Sequence, residues 1–201
     1  GVRPRITGSN SIGGSSFVAH VHEAVAAIAS GAADVVLITH GETRRSNRKR
    51  GVTGRPAHDD PWLPDWQWER PWGVAAPPAA YALAASRHMA QYGTTSEQLA
   101  EIAVATRAWA SLNPRAMHRD PLTVDDVMAS PWLVYPFHVL DCCLVTDAGG
   151  AVVLTSTDRA RSLDVPVVEV LGSAVASTHH MITEMPDLTV TPAATSGPAA
   201  F

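Results

Sequence analysis

Residues 13–16, Gly-Gly-Ser-Ser, form the stretch of this sequence whose residue types best suit catalysis. The apolar residues of 17–28 recur at helical spacing, so we expect the turn to open a helix that one of the serines caps and Gly31 stops. The start of a helix carries unpaired N–H groups and the positive end of the helix dipole, which suits a nucleophile or a developing oxyanion. The candidate catalytic residues here are Gly14, Ser15 and Ser16.

His40 is the next candidate, as a proton carrier. It follows the run Val35 to Ile38, which predicts a buried strand, and functional side chains commonly follow the carboxyl end of a parallel strand. His88 and His138 are further candidate proton carriers. A structural role is the competing interpretation of each histidine.

Basic residues are concentrated just beyond this strand. Arg or Lys occupies five of the seven positions 44–50, although the formal net charge of the chain is −4. A solvated loop is one interpretation, and a local phosphate-binding patch is the other, because guanidinium groups pair well with phosphate. The candidate phosphate ligands are Arg44, Arg45 and Arg48.

No regular pattern is visible from Thr43 to Pro78, where prolines and four tryptophans are interspersed. An irregular stretch of this length is either functional or disordered, and the tryptophans favour a packed covering loop. We expect these tryptophans to be structural rather than a platform for a sugar or a base. They are Trp62, Trp66, Trp68 and Trp72.

The sequence predicts neither a catalytic cysteine nor a metal site. Cys142 and Cys143 are adjacent, which fits neither a CxxC metal site nor a disulfide framework, so we expect two small buried thiols beside a strand. The pair His179-His180 lacks a third donor at a useful spacing, which favours a surface loop.

Helices and strands alternate around these residues, which predicts an α/β protein. The clearest helices are one over 78–91, a second that begins with a capping box at Thr95 and a third that begins at Thr123. In the second helix, the apolar stripe that contains Ile102 and Trp109 predicts the face turned toward the core.

Beyond Leu140 the pattern changes to strands. The β-rich runs are 140–145, 151–154 and 165–171, separated by a turn at 147–150 and a short helix that starts at Thr157. The remainder, from Thr178 onward, is weakly patterned and predicts a tail.

The composition is that of a globular protein, with 201 residues of which 46% are hydrophobic and 17% charged. A net charge of −4 argues against a general nucleic-acid binder. No apolar run approaches the roughly 18 residues that a membrane span needs. Residues 1–5 lack the hydrophobic region of a signal peptide, so we expect a cytoplasmic protein.

Several motifs, taken in chain order, resemble the lipid-transfer or sterol-carrier type of thiolase. They are Gly-Gly-Ser-Ser-Phe at 13–17 with the strand from Asp34, Ala-Pro-Pro at 76–78 through Tyr81 to the run 88–94, Asn113-Pro114 with the run 122–130, and Leu-Asp-Cys-Cys at 140–143 with Thr146-Asp147 and the run 150–154. The resemblance covers nearly the whole chain.

The resemblance implies a thiolase-like αβαβα fold, present here in part, with an inserted loop domain. Residues 1–42 would belong to the N-terminal half, 43–135 to the loop domain, and 136–201 to the end of the N-terminal half and the start of the C-terminal half. It also implies a homodimer that acts on acyl-coenzyme A (acyl-CoA), with no bound cofactor and with CoA only as part of the substrate. Tyr81 and the arginines of 44–48 then become candidate CoA-binding residues.

Two departures from the family pattern shape the expected function. The family's acylated cysteine should fall in the region of Gly14 and Ser15, where this sequence has none, and a serine hydroxyl without an adjacent base is a poor substitute. We therefore expect Ser15 and Ser16 to act as helix cap and hydrogen-bond donors. The chain is also much shorter than those of the family, so we expect a segment of a longer protein or a site completed by another chain.

The expected function is an enzyme of lipid or steroid acyl-CoA metabolism that makes or breaks a C–C bond beside the thioester without a cysteine acyl-enzyme. Family members without the nucleophile include steroid side-chain aldolases, which carry out retro-aldol cleavage and pair with a small OB-fold protein. That chemistry needs an enolate-stabilising hole and proton carriers. Acyl transfer through a group elsewhere in the protein stays open, and the alternative from another class is a non-catalytic acyl-CoA or lipid carrier or a scaffold subunit.

Overall fold

The computed structural model describes residues 3–49, 62–74 and 77–201, and these ranges contain α-helices and β-strands, as an α/β protein requires. The helices are α1 Ser16–Ala29, α2 Arg44–Lys49, α3 Pro77–Tyr92, α4 Ser96–Ser111, α5 Val124–Ala129, α6 Thr157–Arg161 and α7 Ala193–Ala200. The strands are β1 Val35–Thr43, β2 Trp132–Val134, β3 Phe137–His138 and β4 Asp147–Thr155.

The chain folds as two compact units. The first unit consists of Gly1–Gly54, Thr146–Ser177 and Pro192–Phe201, and the second of Arg55–Val145 and Thr178–Thr191. The division into an N-terminal half, a loop domain and a return segment at 1–42, 43–135 and 136–201 stays a prediction.

In the first unit, β1 and β4 pair antiparallel along their full length, with Gly41 opposite Gly149. His40 therefore lies within a strand, and the prediction that it follows the end of a parallel strand is wrong. The predicted turn at 147–150 is also wrong, because these residues begin β4. Glycine at position 149 allows the two strand backbones to approach closely, since a Cβ there would lie 3.3 Å from the carbonyl oxygen of His40.

Helix α1 packs on this sheet and lies where the sequence predicts it. It begins after a 3₁₀ turn at Gly13–Ser15 and ends at Ala29, two residues before Gly31. Its buried apolar side chains are the small Ala19 and Ala24, whereas Phe17 is exposed. Small residues thus form the fully buried part of the helix, while the larger Val21, Val25 and Ile28 are half-buried.

The second unit is built on α3, α4 and α5, and its helix starts follow the sequence closely. Thr95 forms a capping box with Gln98 at the start of α4, and Thr123 forms one with Asp126 at the start of α5. In each box the threonine hydroxyl accepts a bond from a backbone N–H while the other side chain accepts one from the threonine N–H. The predicted capping box at Thr95 is confirmed, and the helix start predicted at Thr123 is confirmed with a capping box of its own.

The buried face of α4 differs from the predicted one. Ala100 is fully buried and α4 contacts α5, but Ile102 and Trp109 are 65% and 76% exposed. Helical spacing shows that these two residues share a face. It does not show whether that face is covered, and here a small alanine marks the packed side.

Not every β-rich run forms a strand. The run 151–154 lies in β4, but 140–145 passes from a 3₁₀ turn into irregular chain and 165–171 pairs with no other strand in the described ranges. Val168 and Leu171 are more than nine-tenths exposed. Strand propensity reflects the fit to a neighbouring strand, so an apolar run without one remains irregular.

The elements after β4 are helical. The helix predicted from Thr157 is confirmed as α6, and its cap is the hydroxyl of Ser156, which accepts a bond from the Arg159 N–H. Helix α7 lies in the predicted tail, where sequence patterning missed it. None of the described helices combines the length and the apolar character of a membrane span.

Candidate functional site

The glycine turn, residues 12–16, is closed by the hydroxyl of Ser16. This oxygen accepts a hydrogen bond from the Ile12 N–H at 2.9 Å and donates one to the Gly13 carbonyl oxygen at 2.7 Å. Only 6% of Ser16 is exposed. Gly13 has a φ of +79°, a left-handed conformation that favours glycine. The buried hydroxyl of Ser16 thus links the end of the glycine turn to its beginning.

Ser15 occupies a different environment from Ser16. It is exposed, it has helical backbone angles, and its hydroxyl donates to the Ile12 carbonyl oxygen at 3.3 Å. Neither serine makes the side-chain cap bond of an N-cap residue, so the predicted cap is wrong. A true N-cap has extended backbone angles and accepts a bond from the following turn. Both hydroxyls do donate hydrogen bonds, as predicted.

Asn10 holds the segment before the glycine turn against α1, and the sequence reasoning missed it. Its backbone N–H donates to His20 Nε2 at 3.4 Å, and its side-chain amide donates to Glu23 Oε1 at 2.7 Å. Its Oδ1 atom is buried without a partner in the described structure. An asparagine three residues before a Gly-Gly pair was the available signal, because Asn favours turns.

His40 reaches the start of α1 through an aromatic contact. Its ring centroid lies 4.5 Å from that of Phe17, with the planes inclined by 55°. His40 is exposed, so solvent or a substrate can reach its side chain. The structure therefore places this candidate proton carrier beside the residue that follows Ser16.

The other two histidines make structural contacts. His88 lies within 2.8 Å of the Thr94 hydroxyl and ties the end of α3 to the next connection. His138 is 2% exposed and stacks on Trp132 at 3.7 Å. Its Nδ1 atom is 3.5 Å from a carboxylate oxygen of Asp141. Both arrangements agree with the structural interpretation of these residues.

The arginines that follow β1 lie on a short helix, α2, rather than in the predicted irregular loop. Arg44 Nη1 is 3.8 Å from a carboxylate oxygen of Glu42. Ser46 donates both its hydroxyl and its backbone N–H to Asp147, and these bonds, with a smaller contribution from Arg45, lower the pKa of Asp147. We call Arg44, Arg45 and Arg48 the basic patch, and the carboxylates of Glu42 and Asp147 lie beside its first two arginines.

Arg48 belongs to α2, but its side chain lies outside the described residues, as does the basic stretch beyond it. Tyr81 is 60% exposed on α3 and belongs to the second unit, whereas the glycine turn, His40 and α2 belong to the first. The first unit thus contains the predicted catalytic and phosphate-binding residues, on the 3₁₀ turn at Gly13–Ser15 and on α1, β1 and α2.

The tryptophans do not form the predicted packed cover. Trp62, Trp68 and Trp72 are each more than 70% exposed. Trp66 is the more buried one, with the guanidinium of Arg70 over its ring at 4.1 Å. Glu69, which follows Trp68 in the sequence, is almost fully buried, and its carboxylate accepts a hydrogen bond from the Thr183 hydroxyl.

The cysteines lie in the second unit. Burial raises the pKa of the Cys142 thiol, and the charges of Asp141 and Cys143 raise it further. Cys142 is half-buried and Cys143 is exposed, so the prediction of two buried thiols is wrong. Among the described residues, no group of three His, Cys, Asp or Glu side chains is arranged to hold a metal ion.

The first unit combines three chemical capacities. The glycine turn offers backbone N–H groups at the start of a helix, which can stabilise an oxyanion. His40 can carry a proton. The guanidinium groups of Arg44 and Arg45 can pair with a phosphate. A thiol nucleophile is missing from the turn, since residues 10–16 are Asn-Ser-Ile-Gly-Gly-Ser-Ser.

No protein-family model matches the chain. A steroid side-chain-cleaving aldolase of Thermomonospora curvata is 36% identical over 176 residues, which are 85% of this chain and 45% of that protein. A 17-hydroxy-3-oxo-4-pregnene-20-carboxyl-CoA lyase of Mycobacterium tuberculosis is 36% identical over 154 residues, 75% of this chain and 40% of that protein. An acetyl-CoA acetyltransferase of Methanothermobacter thermautotrophicus is 43% identical over 113 residues, 56% of this chain and 29% of that protein.

A solved structure of an Ltp2-ChsH2(DUF35) aldolase has a similar fold. It superposes with a TM-score of 0.77 at 34% identity and covers 89% of this chain and 46% of its own. The thiolase-like αβ fold predicted from the sequence is thereby confirmed for this chain. The chain spans about half the length of the first curated relatives that it matches.

Proposed function

This chain belongs to the thiolase superfamily, and on that premise we propose that the protein breaks or forms a C–C bond beside a CoA thioester by a retro-aldol route. The proposal is supported by the aldolase and lyase among its relatives, which match 85% and 75% of the chain. The single observation that carries it is the glycine turn, which keeps its helix start and its glycines but has no cysteine to form an acyl-enzyme.

The proposed reaction does not require a covalent intermediate. A base removes the proton from the β-hydroxyl of a β-hydroxyacyl-CoA, the Cα–Cβ bond breaks, and the oxygen forms a carbonyl group with Cβ. The bonding electrons pass to the thioester as an enolate, which takes up a proton at Cα. Amide N–H groups of the glycine turn would stabilise the enolate oxygen, and His40 would carry one of the protons.

Recognition of the CoA part would fall to the basic patch. We assign Arg44, Arg45 and Arg48 to the phosphates of CoA and Tyr81 to a further contact with the substrate. Glu42 and Asp147 would tune this patch, because they already neutralise part of its charge. Phosphate binding would therefore exchange an intramolecular ion pair for an intermolecular one.

We further propose that the protein acts as a homodimer with an OB-fold partner in the cytoplasm. The support is the resemblance to nucleophile-free family members together with the similar solved structure, whose name joins two proteins, Ltp2 and ChsH2. The domain limits 1–42, 43–135 and 136–201 belong to the same proposal.

The test uses the full-length protein, with and without a co-purifying OB-fold protein. It is incubated with a β-hydroxyacyl-CoA and, separately, with a β-ketoacyl-CoA plus free CoA. Release of a ketone from the first substrate alone supports the proposal. Cleavage of the second that depends on free CoA would restore acyl transfer, as in the related acetyltransferase, and tight binding with no turnover of either would favour a carrier.

A further inference from the structure

We infer that Ser16 is a positioning residue that fixes the shape of the glycine turn and does not attack the substrate. The inference rests on the proposed function, because it concerns how the amides of the turn are aimed at an oxyanion. Two observations support it: the hydrogen bonding of the Ser16 side chain, and the anchoring of the segment before the turn by Asn10.

The turn engages the one hydrogen of the Ser16 hydroxyl and one of its two lone pairs. A serine hydroxyl has one hydrogen to donate, and Ser16 gives it to the Gly13 carbonyl oxygen at 2.7 Å while accepting from Ile12 N–H at 2.9 Å. A nucleophilic serine passes its proton to a base, but the Ser16 proton is held by the Gly13 carbonyl oxygen, and only 6% of the residue is exposed to a substrate. A nucleophilic role is therefore disfavoured by geometry as well as by the missing base.

Two hydrogen bonds from Ser16 hold the carbonyl group of Gly13. The Gly13 carbonyl oxygen accepts both from the Ser16 hydroxyl and from the Ser16 backbone N–H. The positive φ of Gly13 redirects the chain at this point. This carbonyl belongs to the planar peptide between Gly13 and Gly14. Because the carbonyl is fixed toward α1, the orientation of the whole peptide is fixed with it.

Asn10 holds the chain on the other side of the turn. Its two N–H groups bond to His20 and Glu23, which both lie on α1. The turn is therefore anchored on the helix before it begins, by Asn10, and where it ends, by Ser16. An anchored turn costs no reorganisation when charge develops on the substrate, which is the requirement for oxyanion stabilisation.

Ser30 supplies a matched comparison at the other end of α1. Its hydroxyl donates to the Ala27 carbonyl oxygen at 3.1 Å, it is exposed, and it lies far along the helix from the turn. Loss of that hydroxyl removes one hydrogen bond from the same helix without touching the turn. A general loss of helix stability and a specific loss of turn geometry can thus be separated.

The experiment uses the full-length protein and the variants Ser16→Ala, Ser16→Thr and Ser30→Ala. It measures kcat and KM on a β-hydroxyacyl-CoA and hydrogen exchange at the Ile12 amide. We expect Ser16→Ala to lower kcat by up to about 100-fold with KM nearly unchanged, because misaimed groups lose transition-state stabilisation. Exchange at Ile12 should accelerate about fivefold or more, since that N–H loses its acceptor. Ser16→Thr, which keeps a hydroxyl, should recover both quantities, and Ser30→Ala should resemble the wild type.

Three results would overturn the inference. They are a Ser16→Ala protein with wild-type kcat, a Ser16→Ala protein with unchanged exchange at Ile12, and an acyl group found on Ser16 by mass spectrometry. If the wild-type protein cleaves no acyl-CoA at all, the proposed function fails. The exchange measurement then still decides whether Ser16 holds the turn.

Discussion

The imidazole of His40 lies against the phenyl ring of Phe17, with the ring centroids 4.5 Å apart. This contact joins β1 to the first turn of α1 and places a titratable group beside Phe17, the residue that follows Ser16. Phe17, one of the apolar residues that recur at helical spacing, is itself 40% exposed.

We expect His40→Gln to lower kcat for cleavage of a β-hydroxyacyl-CoA by about 100-fold, the usual range for loss of a general acid or base. KM should change little, because the side chain is proposed to act on the reacting atoms. His22→Gln is the control, since His22 is an exposed histidine of α1 bonded to Ser173. Equal kinetics in the His40 and His22 variants would remove His40 from the mechanism.

Arg44→Gln should raise KM for acyl-CoA about fivefold and weaken its dependence on salt, because an exposed ion pair contributes up to about 1 kcal/mol. Glu42→Gln should act in the opposite direction, since it frees Arg44 from its carboxylate partner. Arg161→Gln is the matched control, because Arg161 is also exposed and paired, with Glu169 at 2.8 Å. Steady-state kinetics at two salt concentrations check these expectations. An unchanged KM in the Arg44 variant would exclude this residue from CoA binding.

The bond between Ser46 and Asp147 should make the attachment of α2 to β4 sensitive to acid. Hydrogen bonds from Ser46 place the pKa of Asp147 below its ordinary value of 3.8, so they stabilise the fold above that pH. The stabilisation is lost as the pH falls through the lower pKa of the folded state. Ser46→Ala should move the pKa of Asp147 upward, toward the ordinary value. An NMR titration of the Asp147 carboxyl measures the shift, and an identical midpoint in both proteins would contradict this explanation.

Iodoacetamide should alkylate Cys143 before Cys142, because Cys143 is exposed while burial raises the pKa of the Cys142 thiol. We expect the alkylated protein to retain its activity, since the proposed reaction uses no thiol. Peptide mass spectrometry gives the order of modification, and an assay of the modified protein gives the activity. Inactivation that acyl-CoA prevents would indicate a catalytic cysteine.

Local signals in the sequence were enough to locate α1, α3, α4, α5 and α6, but not α2 or α7. Thr95 and Thr123 form their capping boxes with residues three positions away, so the information lies within a single turn. The same applies to α1, which ends just before Gly31. The exposed face of α4 was not predictable in this way, because whether Trp109 is covered depends on a neighbour that the periodicity does not specify.

Contacts between distant residues could not be predicted. Gly149 resembles a turn residue until its partner strand is known, and Ser46 and Asp147 are 101 positions apart. For the candidate site, residue types predict the glycine turn and His40, and these assignments stay predictions. The two roles of the Ser16 hydroxyl, the anchoring by Asn10 and the ring contact of His40 depend on three-dimensional geometry.

The most direct test of the proposed chemistry is the deuterium content of the acyl-CoA released from a β-hydroxyacyl-CoA in D₂O without free CoA. Retro-aldol cleavage predicts release of a carbonyl compound, one deuterium at Cα of the acyl-CoA product, and no mass added to the protein at any time. An absolute requirement for free CoA, or an acyl group covalently bound to the protein during turnover, would contradict it.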